Sequence, residues 1–159
     1  MTTLQNKKAQ WIDELNSYRS YHGSKANQLT HFIGIPLIFF SIFCGLGWFR
    51  FYPLDIPLSA GSLFFLGIFI FYFRVHRVLA LAVMAWCCPL FLLAEKVSVL
   101  SFTFSLAVAV GSFVIGWVFQ FAGHAIEKNR PAFFTNANHL WHGPLFITYE
   151  WVTRLGIKV

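Results

Sequence analysis

Four apolar runs, Phe32 to Phe49, Ile56 to Phe73, Val78 to Ala94 and Val97 to Ala122, decide what this chain can become. Each approaches the ~20 residues that a helix needs to cross a bilayer. In hydrocarbon every backbone N–H and C=O must be satisfied within the chain, and a run that is apolar on all sides does this as a helix. The breaks are short, "RFYPLDIP", "RVHR" and "EK", where proline or charge interrupts the run. The pattern predicts a single all-α domain over residues 1–159, an integral membrane four-helix bundle. The third run is the shortest, and its Pro89 points to a kink or a partial re-entry.

Composition narrows the partners. The chain is 57% apolar and 11% charged, and its net charge of +6 comes from basic residues in small groups between the runs. A nucleic-acid binder would array its cations on one polar face, so the expected partner is a lipid bilayer and no nucleic acid. With four spans, Lys7, Lys8, Arg19, Lys25, Arg74, Arg77, Lys128, Arg130, Arg154 and Lys158 fall on one side, against Arg50 and Lys96 on the other. The positive-inside rule then puts both termini and the "RVHR" turn on the cytoplasmic face. Trp11, Leu15 and Tyr18 share one face of an N-terminal helix expected on the membrane surface. Towards the C-terminus, "HGPLFITYEWVTRLG" has Pro144 as a helix start and Gly156 as a stop, and is expected to be interfacial. The opening residues lack the apolar core of a signal peptide, and no retention signal is evident, which favours a bacterial inner membrane over the endoplasmic reticulum. Cys44, Cys87 and Cys88 lie inside apolar runs without C-x-x-C spacing and read as small buried hydrophobes.

All six histidines fall on the predicted cytoplasmic side. His22 and His31 can face one centre only if the chain turns at Gly23 and Ser24. Ser24 as an N-cap starts a helix there and places Asn27 and His31 on one face. Gln120, His124 and Glu127 line one face at the end of the fourth run, and His139 and His142 share a face if their stretch is helical. Imidazole suits iron, zinc and copper, and Asn, Gln and Glu nearby can hold the second ring nitrogens. A metal site at His22, His31 and His124 is therefore expected, whereas His76, between Arg74 and Arg77, reads as an ordinary turn residue.

The stretch "YHGSKANQLTHFIGIP" resembles the opening signature of the membrane 2-hydroxy fatty acid dioxygenases of fatty acid α-oxidation, Y-H-x4-N-x3-H running into a span. "GWVFQFAGHAIEKNRPAFFTNANHLWHGPLF" resembles their second signature, with Q-F-x-G-H-x-x-x-E at its centre, and the spans between match in hydropathy alone. The resemblance implies one Fe(II) held by histidines, with Tyr21, His22, Asn27, His31, Gln120, His124 and Glu127 on matching positions. It implies His139 as the fourth metal ligand, ahead of His142, with Glu127 as a carboxylate alternative. Tyr21, Asn27, Gln120 and Glu127 would serve catalysis, and Lys128 and Arg130 at the rim could attract a substrate headgroup, although an anchor role is the simpler reading. The implied reaction takes a long-chain 2-hydroxy fatty acid and dioxygen, cleaves C1–C2 and leaves an acid one carbon shorter. Competing readings are a di-iron hydroxylase or desaturase, whose clustered and adjacent histidines are missing here, and a b-haem carrier with His31 and His124 as axial ligands. A non-catalytic scaffold or transporter is a further alternative, but no span carries a mid-membrane charge to support it.

Overall fold

The computed structural model describes residues 13, 15–17, 22–128 and 139–157, the side chain of His139 excepted. Five helices and one small hairpin make up most of it: α1 (Lys25–Leu46), β1 (Arg50–Phe51), β2 (Leu58–Ser59), α2 (Ala60–Val75), α3 (Arg77–Ser98), α4 (Phe102–Glu127) and α5 (His139–Arg154). Three of them, α1, α3 and α4, are long and apolar enough to cross a membrane. At ~1.5 Å per residue they reach ~33–39 Å against a hydrocarbon thickness of ~30 Å.

The second expected span is shorter than its run. Ile56 to Ser59 goes into the turn and second strand of the hairpin, in which Arg50 pairs with Ser59 and Phe51 with Leu58. Ser59 then caps α2 in a reciprocal capping box with Ser62, leaving 16 residues, ~24 Å, of helix. The third run does better than expected: α3 continues through Pro89 for 22 residues. Glu95 and Lys96 do not break the chain, because they sit in the last turn of α3 and the bend falls at Val99–Ser101. Arg50 donates to Glu95 Oε2 at 3.0 Å and to Ser98 Oγ at 2.8 Å, and Ser59 Oγ donates to Glu95 Oε1 at 2.5 Å, so the hairpin is tied to the end of α3.

His76 closes α2 and opens α3, its Nδ1 accepting from Leu79 N–H at 3.4 Å. That capping position agrees with its reading as a turn residue.

The main seam of the bundle joins α1 to α4, which run antiparallel. Glycines make the seam close. A Cβ on Gly34 would lie 2.7 Å from the Gly116 carbonyl oxygen, one on Gly116 2.9 Å from the Gly34 carbonyl oxygen, and one on Gly123 2.8 Å from Asn27 Oδ1. In apolar surroundings, where no water is released on association, this backbone contact supplies the packing that bulky side chains would prevent.

The last helix departs from expectation most. It begins at His139, and Pro144 lies inside it; Gly156 ends it in the left-handed region at φ 76°. Leu145, Phe146, Ile147 and Thr148 are consecutive and all buried, so protein covers this turn of the helix on every side. Arg154 hydrogen-bonds Gln28 at one end of α5, while Tyr72 Oη donates to the Trp141 carbonyl at 2.8 Å at the other. Trp86 Nε1 reaches Thr148 Oγ1 at 3.0 Å between them. The helix is therefore a plug among α1, α2 and α3, and Phe43, Tyr72, Leu79, Val83, Leu145 and Phe146 form the core around it. Leu15 belongs to the same buried cluster, so this N-terminal position packs inward too; Trp11 and Tyr18 lie outside the described residues.

Candidate metal centre

The start of α1 sets the first two histidines. Ser24 is its N-cap, with extended φ/ψ of −83° and 142°, and its Oγ accepts from Asn27 N–H at 3.1 Å. The partner that would complete a capping box comes from another helix: Glu127 Oε1, at the end of α4, accepts from Ser24 N–H at 2.8 Å. Its other oxygen accepts from the Asn27 side-chain amide. A carboxylate at a helix N-terminus also meets the positive end of the helix dipole. Gly23 keeps an ordinary φ, so conformational freedom is not its contribution; a Cβ there would stand 3.3 Å from Glu127 Oε1. Gln28 Nε2 donates to the His22 carbonyl at 3.1 Å and pins the turn from the other side.

These contacts fold His22 back over α1. His22 and His31 face each other through their Nε2 atoms at 3.1 Å, and His124 of α4 closes the triangle. The ring centroids are 4.5 Å, 4.9 Å and 5.0 Å apart for the three pairs. One nitrogen of each ring lies within 4.8 Å of the others, and all three rings are buried. His31 Nδ1 lies 3.0 Å from the Asn27 carbonyl, which can only accept. The proton of His31 is thereby held on Nδ1, and Nε2 is left with a bare lone pair.

This donor set fits a first-row metal ion. At imidazole–metal distances of ~2.1 Å, two donors in adjacent octahedral positions lie ~3.0 Å apart. The His22–His31 separation of 3.1 Å matches that spacing. Two lone pairs at such a distance repel unless a proton or a cation lies between them. Three protein nitrogens also leave coordination positions open for other ligands. A macrocycle between His31 and His124 does not fit, because their rings make edge contact with each other and with His22.

Beside the triad opens a cavity of about 270 Å³. His22, His31, Gln120 and His124 make one end polar, and the remainder is apolar, with Ile35, Ile38, Phe39 and Ile42 of α1 along its length. Gln120 is 8% exposed and borders this cavity, and its Nε2 has no hydrogen-bond partner among the described residues. His124 Nδ1 is likewise unpartnered.

The residues singled out from sequence separate into groups. His22, His31, His124 and Gln120 converge on the cavity, and Asn27 and Glu127 stand behind the triad with Glu127 engaged by Ser24 and Asn27. Lys128 is exposed and ends α4 in the left-handed region at φ 56°. His142 is buried and borders a separate groove beside Tyr72. His139 opens α5, but its side chain lies outside the described residues, as do Tyr21 and Arg130. Sequence reasoning passed over the glycine seam and the isoleucine stripe. The i, i+7 spacing of Gly116 and Gly123 was the available signal for the first, and the i, i+4, i+7, i+11 series His31, Ile35, Ile38, Ile42 for the second.

A family model described as 2-hydroxy-palmitic acid dioxygenase Mpo1-like matches residues 9–155. The 2-hydroxy-palmitic acid dioxygenase MPO1 of Saccharomyces cerevisiae is 35% identical over 145 residues, which cover 90% of this chain and 80% of that protein. A yeast relative gives no support to a bacterial inner membrane over the endoplasmic reticulum. No solved structure gives a significant match.

Proposed function

The chain belongs to the Mpo1-like 2-hydroxy-palmitic acid dioxygenase family, and we propose that it is an Fe(II) enzyme that cleaves C1–C2 of long-chain 2-hydroxy fatty acids. The product is an acid one carbon shorter. One observation carries the reading: the buried triad His22, His31 and His124 sits at the polar end of a cavity that is otherwise apolar. A metal that could meet dioxygen is thus placed where a molecule with a polar end and a long tail would present its C1 and C2.

His22, His31 and His124 would hold the ion, with His139 as a further ligand. Zinc suits imidazole equally well but has no redox chemistry, so a dioxygenase activity favours iron. Bound there, iron supplies the one-electron chemistry with dioxygen that the side chains lack.

The chain's own residues do the remainder. Asn27 fixes the His31 tautomer through its carbonyl and, together with Glu127, holds the first turn of α1 against α4. Gln120 offers its unpartnered amide N–H to the carboxylate or the 2-hydroxyl of the substrate, an orienting bond that costs no existing partner. The apolar wall excludes water from the reacting end, which strengthens each polar contact made there. Tyr21 would serve the catalysis, and Lys128 and Arg130 would attract the headgroup electrostatically to the rim. With both termini on the cytoplasmic side, this rim faces the cytoplasm.

The test is incubation of the purified protein with 2-hydroxyhexadecanoic acid under oxygen, with and without Fe(II), followed by mass spectrometry of the products. Pentadecanoic acid should form only with iron, and His22→Ala, His31→Ala and His124→Ala should each abolish it. Undiminished turnover in the three variants would remove the ligand assignment.

A further inference from the structure

We propose that the trough running from the triad along α1 is the berth of the substrate's acyl chain, open along one side so that the tail slides in laterally from the bilayer. This rests on the dioxygenase reading and adds to it where the tail lies and how it enters.

The floor is one stripe of α1. Ile35, Ile38 and Ile42 follow His31 at i+4, i+7 and i+11, so the face that carries the candidate ligand continues without interruption as an apolar strip. From His31 to Ile42 the strip is ~16 Å long at 1.5 Å per residue. A zigzag chain of ~1.52 Å carbon–carbon bonds advances ~1.25 Å per carbon, so about a dozen carbons beyond the headgroup lie on it.

The walls explain the entry. On one side Trp117 and Phe113 of α4 flank the strip, and on the other Phe64 of α2 and Trp141 of α5. α4 packs along α1 but only lightly on α3, whereas α2 and α5 occupy the opposite flank of α1. The two walls therefore do not meet, and their rims remain open: Phe113 is 44% and Trp141 47% exposed. A tail already in lipid has no water to shed, so burial in a sealed tunnel would bring no hydrophobic gain and would require an opening motion. An open trough takes the tail by sideways displacement of lipid. Selection then comes from fit near the triad, and carbons past Ile42 return to the bilayer.

Photolabelling reads the berth without depending on turnover. The protein in phospholipid nanodiscs is irradiated with 2-hydroxyhexadecanoic acid bearing a diazirine near its methyl end, and labelled peptides are mapped. Label should concentrate on Ile38–Ile42 and Phe113–Trp117 and be displaced by unlabelled 2-hydroxyhexadecanoic acid. Equal labelling of the lipid-facing Leu81, Leu92 and Leu93 of α3, or label that unlabelled acid does not displace, overturns the trough. Ile42→Trp fills the distal end and should lower turnover of 2-hydroxyhexadecanoic acid relative to 2-hydroxyoctanoic acid about fivefold or more, the lower end of the cost of overpacking. Leu92→Trp, on the outer face of α3, should leave that ratio at the wild-type value. An unchanged ratio in Ile42→Trp also overturns the trough. If wild-type protein shows displaceable labelling but oxidises no 2-hydroxy acid, the dioxygenase reading fails and the trough stands; turnover without displaceable labelling fails the trough alone.

Discussion

Replacing Gly34 by alanine tests whether the closeness of α1 and α4 is what makes the metal site. The added Cβ would lie 2.5 Å from Gln120 Nε2 and 2.7 Å from the Gly116 carbonyl oxygen. The amide can swing aside, but the carbonyl belongs to the backbone of α4. To reach the 3.4 Å at which ordinary contact begins, the helices must part locally by about 0.7 Å. His31 lies one turn from Gly34 on α1, and His124 two turns from Gly116 on α4, so the gap between the candidate ligands opens by a similar amount. Metal–ligand distances tolerate ~0.2 Å, so a shift of this size detaches His124 or strains the set. Overpacking should also cost ~1–3 kcal/mol of stability. Gly111→Ala is the control, because a Cβ there meets nothing within 4 Å and alanine is the better helix former by ~1 kcal/mol. Iron content after equilibration with Fe(II), and thermal unfolding followed by circular dichroism, should separate the two variants. If Gly34→Ala binds iron stoichiometrically with wild-type affinity, the argument that glycine-mediated contact sets the ligand geometry is wrong.

Glu127→Gln should weaken iron binding about tenfold and lower stability by about 2 kcal/mol, since the neutral amide turns a donor towards the Ser24 or Asn27 N–H that the carboxylate accepts; titration with Fe(II) and chemical denaturation measure the two effects. Arg50→Met should cost about 1 kcal/mol through loss of the partly exposed pair with Glu95 while iron affinity stays at the wild-type value, because the hairpin clamp is at the end of the bundle away from the triad. Removal of metal by a chelator should abolish turnover, with recovery on Fe(II) and none on Zn(II), and a recovery with zinc would contradict redox chemistry at the triad. The absorption spectrum of the iron-loaded protein should lack a Soret band, since the three rings leave no room for a macrocycle.

Hydropathy alone determined that this chain is helical, with α1, α3 and α4 long and apolar enough to cross a membrane, because a bilayer admits few ways of satisfying a backbone. Local chemistry also placed Ser24 as the cap that starts α1 and put Asn27 on the face of His31, contacts within one helical turn that depend on nothing distant. Even the grouping of His22, His31 and His124 was readable, since an even number of apolar runs from α1 through α4 brings the end of α4 back beside the start of α1. The tertiary structure decided what local pattern cannot encode. Pro144 reads as a helix start, yet α5 begins five residues earlier and is buried at its centre, because Leu145 to Thr148 find a gap that only the assembled α1, α2 and α3 create. That Glu127 reaches across a hundred residues to cap the N-terminus of α1 is also a contact no local pattern carries. The apolar trough is likewise invisible in any one helix: its isoleucines are ordinary span residues until the spacing of α4 from α2 and α5 leaves them uncovered.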